Sequence, residues 1–279
     1  MQDISPKLKD LYVNKPECVI HFPEWMLSGK KIDEYRSLSR LAIAEIAGRD
    51  SLAAAVKGVS EGLFTDLLPT YVYTGTEYGS WGIVEAAVER LANRLPETRV
   101  HNLVVLGSPG FWRALNGRFI NEMTSNYGFY LPCIGCHLYL HSVRIPLAHI
   151  LGNVPIISGE RERHNGSVKV NQIPEALDHY QGLSAEFGIP LIFPIRRLAE
   201  SRQITNLIGF EWKEGEEQLN CVLSGNYRQL DGSVNVPALK MSRFMEKFAR
   251  PCASKIIDSY LANRIPDHIG IASRILGSN

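Results

Sequence analysis

Short apolar runs rich in β-branched and aromatic residues alternate with helix-patterned stretches along most of this chain, and that alternation constrains its fold more than any other feature. Leu41-Ala42-Ile43-Ala44-Glu45-Ile46 reads as a strand, and Asp50 or Ser51 caps a helix that runs to about Gly62. Residues 67–73 read as a second strand. Trp81 to Leu95 is a helix, with Ile83, Val84, Ala87, Val88, Leu91 and Leu95 at spacings of three and four. Leu103 to Leu106 is a third strand, stopped by Gly107-Ser108-Pro109-Gly110. Residues 111–150 are mostly helical, with an interruption at 128–135. Strands at 154–158 and 190–195 precede and follow a helix at 174–187, and a further helix covers 198–208. This order implies an α/β fold with a doubly wound, mostly parallel sheet. Such sheets bind ligands at the carboxyl ends of their strands, so the loops that matter begin at Ala47, Thr74, Gly107 and Ser158.

The 279 residues suffice for one large domain with extensions or for two small ones. We divide the chain into an N-terminal extension (1–38, with a short strand at Cys18–Phe22), an α/β domain (39–225) and a C-terminal extension (226–279) that is helical from 236 to 262. Thirty basic residues face 29 acidic ones, so no global charge favours nucleic acid, although a local basic patch is compatible with it. No apolar run approaches the roughly 18 to 20 residues that span a bilayer, and residues 1–9 lack the apolar stretch of a signal peptide. A cytoplasmic location is expected. There, five cysteines favour ligand or catalytic roles over disulfides, with Cys18 a buried structural thiol.

Two segments carry chemistry. Ala47-Gly48-Arg49-Asp50-Ser51 is a small-residue turn between strand and helix, where backbone N–H groups and the helix dipole can hold a phosphate. Gly48 permits close approach, Asp50 can orient Mg²⁺ or cap the helix, and Ser51 supplies a hydroxyl; the same residues also make a common capping sequence. The second segment is Pro132-Cys133-Ile134-Gly135-Cys136, whose spacing points two thiolates at one metal. With Cys221, three thiolates can hold a cluster or a metal and leave one coordination position open. A redox dithiol, a closed zinc site completed by Cys252, and a set of unrelated buried thiols are the competing readings.

The segment Ile46 to Ala54 resembles the pyrophosphate loop of the N-type ATP pyrophosphatases (the PP-loop, adenine nucleotide alpha-hydrolase-like superfamily), usually Ser-Gly-Gly-x-Asp-Ser-x-Ala. The resemblance continues with Tyr71-Val72-Tyr73-Thr74-Gly75, where the family places its adenine pocket. It extends through Ile157-Ser158-Gly159-Glu160-Arg161, in the place of a Gly-His-Asn signature, and the Pro190 to Arg197 strand. Ala47 and Arg49 depart from the loop pattern, as does Glu160-Arg161-Glu162-Arg163-His164 from the later signature. Within the superfamily, Cys133, Cys136 and Cys221 match the order of elements in the iron–sulfur-dependent tRNA thiolation branch, without that branch's terminal zinc ribbons. The resemblance covers roughly residues 40–225 and implies a sulfurtransferase. By it, ATP and Mg²⁺ would be held on Ala47, Gly48, Arg49, Asp50 and Ser51, with Tyr73, Thr74, Gly75 and Gly159 completing the nucleotide site. Cys133, Cys136 and Cys221 would ligate a [4Fe–4S] cluster, with zinc as the alternative metal. The implied partners are a tRNA or small-molecule acceptor, an unspecified sulfur donor and a second copy of the chain, with no membrane. The alternative function is a zinc-stabilised nucleotide-binding protein without sulfur transfer.

Other residues have weaker claims. His137 and His141 share a helix face and can support a metal or polarise a substrate, with Arg144 and His149 beyond them. Arg161, Arg163, His164 and Lys169 read as a phosphate-binding or solvated charged loop. Trp81, Trp112, Tyr127, Phe129 and Tyr130 can stack bases or fill the core. Asn226, Tyr227, Arg228 and Asp231 can border the thiols.

Overall fold

The structure, a computed structural model, describes residues 27–277 apart from 63, 129, 214 and 236. The expected strand at Cys18–Phe22 therefore lies outside the described residues. The fold is α/β, doubly wound about a parallel sheet. Strand β1 (Leu41–Glu45) is central and fully buried, and it pairs in parallel with β2 (Asp66–Tyr73) on one side and β6 (Ile156–Ile157) on the other. Beyond β2 lie β4 (Arg99–Val100), against its start, and β5 (Val104–Gly107), against its end. Beyond β6 lies β7 (Leu191–Ile192), again parallel. A separate two-stranded antiparallel ribbon joins β3 (Glu77–Tyr78) to β8 (Asn220–Cys221).

Strands β6 and β7 are shorter than their apolar runs suggest. Pro155, Pro190 and Pro194 flank them, and proline gives the ladder no N–H. Carbonyls still serve: Ile43 N donates to Pro155 O at 2.9 Å, and Ile156 N to Pro190 O at 2.8 Å.

Helices cover both faces. They are α1 (Gly29–Arg36), α2 (Arg49–Ser60), α3 (Gly82–Arg94), α4 (Pro109–Asn116), α5 (Ile120–Tyr127), α6 (Pro132–Ser142), α7 (Arg144–Ile150), α8 (Pro174–Glu186) and α9 (Ser201–Ile208). Then come α10 (Ala238–Phe244), α11 (Arg250–Leu261) and α12 (His268–Gly277). The cap of α2 is Gly48 rather than Asp50 or Ser51, and α9 begins at Ser201 behind a Glu200/Gln203 capping box rather than at 198. The expected interruption before Cys136 is narrower, because Pro132 opens α6 at a position where its missing N–H costs nothing.

Two helices were not anticipated. In α1, Ser28 Oγ accepts from Lys31 N, and Tyr35 is buried against His101. In α12, Ile271, Ala272, Ile275 and Leu276 face the core and pack on α4 and α11. A π-helical turn (Met245–Ala249) separates α10 from α11, next to Pro251, which cannot close the ordinary helical hydrogen bond. The C-terminal helices share one continuous core with the sheet. Met241, Phe248 and Ile256 are inaccessible to solvent and belong to the same apolar cluster as Ile43 and Leu68.

Candidate functional site

The chain runs outward from β1 to β2 and then β5, and returns on the other side through β6 and β7. The carboxyl ends of β1 and β6 therefore part at the switch point, where α/β sheets leave a crevice. A cavity of about 410 Å³ opens there, lined by Ala47–Ser51 and by Gly159, Glu160 and Arg161 among others. Gly159 has a clear physical role. A Cβ at that position would lie 2.4 Å from Ser51 N and 2.6 Å from Asp50 C, so only glycine lets the β6 loop touch the start of α2.

Inside the turn, the residues act differently from expectation. Ser51 Oγ accepts from Ala47 N (2.9 Å) and Gly48 N (3.0 Å) and donates to Gly48 O (2.7 Å), so it braces the turn from within. Arg161 Nε donates to Asp50 Oδ2 at 2.9 Å, and Arg49 Nε meets Asp50 Oδ1 at 3.3 Å. Both carboxylate oxygens are thus held by guanidinium groups, and Asp50 does not fit as a direct Mg²⁺ ligand. Arg161 is almost wholly buried and also donates to Leu198 O and Ala199 O, so it is a strut and neither a solvated loop residue nor a free phosphate hook. The wall carries Arg49, Arg161, Lys169 and Arg228 against Glu45, Asp50 and Glu160. His164 lies beside Asp50. Burial, then the Lys169 and Arg161 charges, lower its pKa to about 4, so its ring is neutral at pH 7.

The residues expected to form an adenine pocket lie elsewhere. Thr74 N and Gly75 N donate to the Glu77 carboxylate at 2.7 and 2.8 Å, and Tyr73 O accepts from Tyr139 Oη. Neither Tyr73, Thr74 nor Gly75 is among the described residues lining the cavity. Thr74 reaches the thiols only through Thr76, whose Oγ1 lies 2.7 Å from Thr74 Oγ1 and 3.2 Å from Cys221 Sγ.

The β3–β8 ribbon sets Cys221 opposite Glu77 and brings it toward Cys133 and Cys136, with the three sulfurs not all within 4.8 Å of one another. Cys221 Sγ lies 3.2 Å from Thr76 Oγ1 and accepts from Leu223 N at 3.4 Å. The Cys133 thiol donates to Leu223 O at 3.6 Å and to Asn226 Oδ1 at 3.5 Å, so Leu223 links the two sulfurs. Trp112 Nε1 donates to Cys136 Sγ at 3.3 Å. Burial and then the charge of Cys221 push the Cys133 thiol up to about 11, and burial raises Cys136 further. Raised thiols are the opposite of a reactive dithiol, whereas a bound cation or cluster would offset the mutual repulsion. Cys252 stands apart. It is fully buried in α11, its thiol pushed up to about 12 by burial. Among the described residues, no set of three ligand atoms within 4.8 Å of one another includes Cys252.

Of the aromatics, Trp81 packs edge-on to Tyr71 and Tyr127 packs against Phe244, both as core; Phe129 lies outside the described residues. Asn226 and Arg228 do border the site, while Asp231 closes its own turn with Ser233. Glu45, Thr76, Gln172 and Leu223 are site residues that the sequence did not single out. Only Glu45, a charge inside an apolar strand, carried a readable signal.

No family model matches the chain. It is 41% identical over 231 residues to the uncharacterized protein MJ0009 of the archaeon Methanocaldococcus jannaschii, an alignment that covers 81% of this chain and 83% of the relative. The chain belongs to the MJ0009 family. Membership extends the fold across most of both chains and carries no activity with it. Among the described residues, no helix is long and apolar enough to cross a membrane.

Proposed function

We propose that the chain is an ATP-dependent sulfurtransferase of the PP-loop type, with the switch-point cavity as its nucleotide site. The observation that carries this reading is the adjacency of two structures: a net basic cavity of about 410 Å³ at the start of α2, and three thiols, two of which, Cys133 and Cys221, meet at Leu223. Helix α6 joins them, since His137 lines the cavity one turn beyond Cys133.

Phosphates would sit against the first turn of α2, whose N–H groups lack intrahelical acceptors, with Arg49, Lys169 and Arg228 offsetting their charge. An acceptor oxygen attacks the α-phosphorus and the α–β phosphoanhydride bond breaks, so that pyrophosphate leaves with the electron pair. Sulfide from a donor then forms the bond to the acceptor carbon and AMP departs. The crevice contributes orientation to both displacements.

Cys133, Cys136 and Cys221 suit a [4Fe–4S] cluster in donor type, and Trp112 Nε1 and Leu223 N donate to the sulfurs of Cys136 and Cys221. When bound, such a cluster supplies an iron without a protein thiolate of its own, as a sulfur carrier requires. A tRNA or a small molecule serves as acceptor under this reading. Incubating the anaerobically purified chain with ATP, sulfide and, in turn, tRNA or a panel of small-molecule acceptors tests it. AMP and pyrophosphate in equal amounts are expected, whereas ADP and phosphate, or no turnover with either acceptor class, would contradict it.

A further inference from the structure

Beneath the cavity lies a second group of ligands that the sulfurtransferase reading does not use. His137 Nδ1 and His141 Nε2 both meet Glu160 Oε1, at 2.7 and 3.2 Å, and the three donor atoms lie within 4.8 Å of one another. Glu160 and His141 are 2% and 1% exposed. Metal bonds of about 2.1 Å at tetrahedral or octahedral angles set neighbouring donors roughly 3.0–3.4 Å apart, close to these separations.

Each of the three side chains also presents its other polar atom to an outer partner. Asn171 Nδ2 lies 2.8 Å from His137 Nε2, and turning that amide places Oδ1 there to accept from the Nε2 proton of a metal-bound His137, while Gln172 Nε2 donates to Glu160 Oε2. His141 Nδ1 points toward Glu45 Oε2 at 4.0 Å. Outer contacts of this kind fix the tautomers of metal-bound histidines.

The Glu45–His141 contact is the distinguishing feature, with Arg144 Nη1 3.9 Å from the same Glu45 oxygen. His141 Nδ1 and Glu45 Oε2 are buried and neither has a hydrogen-bond partner. If a neutral His141 donates from Nε2 to Glu160, its Nδ1 is a bare acceptor facing a carboxylate oxygen, an arrangement of two lone pairs with nothing between them. A metal on Nε2 reverses this, because Nδ1 then carries the proton and aims it at Glu45.

We infer that His137, His141 and Glu160 bind a divalent transition metal of the zinc class, with Glu45 as the positioning partner of His141. Two histidines and one carboxylate leave coordination positions open. His137 and Glu160 line the cavity, so an open position faces the bound ligand and takes an anionic oxygen from it or from water. Imidazole nitrogens favour zinc, cobalt, nickel or iron(II) over Mg²⁺.

The test uses the full chain carrying Cys133→Ser, Cys136→Ser and Cys221→Ser, so that these three thiols cannot account for uptake. After dialysis against Co²⁺ and removal of excess, close to one equivalent of cobalt per chain is expected, with visible d–d bands and no thiolate charge-transfer band. His137→Ala, at a partly exposed position, should reduce uptake at least tenfold with the circular dichroism spectrum unchanged. Glu45→Gln should weaken binding by about 10- to 100-fold, as loss of an outer-shell partner does. No cobalt uptake by this triple-serine chain would overturn the inference. Retention of cobalt by a folded His137→Ala would overturn it equally. Neither outcome bears on pyrophosphate release, which tests the other reading.

Discussion

At the scale of single residues, burial decides which charges the chain can use. His101 is mostly buried between Tyr35 and Asp66, and its pKa is lowered, first by desolvation and against the pull of the Asp66 carboxylate. The folded state therefore binds fewer protons than the unfolded state just below the ordinary histidine pKa of 6.5. The His101 contribution to stability is complete above that value and fades as pH falls below it. Urea denaturation at about pH 7 and about pH 5 should show a loss for the parent chain that is smaller in His101→Gln. An equal loss in both would assign the pH dependence to other groups. The same physics explains what the sequence concealed. Glu160-Arg161-Glu162-Arg163 looks like a solvated run, yet its first two members are buried as a metal-type ligand and a strut for Asp50. Nothing local in four alternating charges distinguishes those two from Arg163, which is exposed.

Among the elements, the close contact between the β6 loop and α2 is the one with least tolerance. Gly159→Ala places a methyl group within van der Waals radii of backbone atoms, which cannot rotate away as a side chain end can. We expect a cost of about 1–3 kcal/mol, read by denaturant melting, together with weaker ATP binding by calorimetry. Unchanged stability would mean that α2 shifts freely and that the cradle is not held by this contact. Gly48 offers a contrast: its hypothetical Cβ meets only the tip of Gln218, which can swing aside. At this scale the sequence was informative. The period-two and period-3.6 patterns located β1, β2, β5, α2, α3 and α8 within a residue or two. Boundaries failed where proline shortened β6 and β7, and α12 went unread although Ile271, Ala272, Ile275 and Leu276 had the right spacing.

Across the whole molecule, the parallel sheet order sets the crevice, and long-range contacts fill it. Cys221 reaches the other thiols through a ribbon of two residues on each side, a pairing too short to leave a pattern in the sequence. The motif spacing indicated which cysteines to watch, and the fold alone brings Cys133 and Cys221 together at Leu223. The C-terminal helices, sharing the sheet's core, back the wall of α6 that carries Cys133, Cys136 and His137. The most direct test is the iron and acid-labile sulfide content of the anaerobically purified full chain, read with its visible spectrum. The account predicts a brown protein with about four irons and four sulfides per chain, and a large loss of both in Cys221→Ser. A colourless chain without iron after anaerobic reconstitution, or one that keeps its cluster when residue 221 is serine, would contradict it.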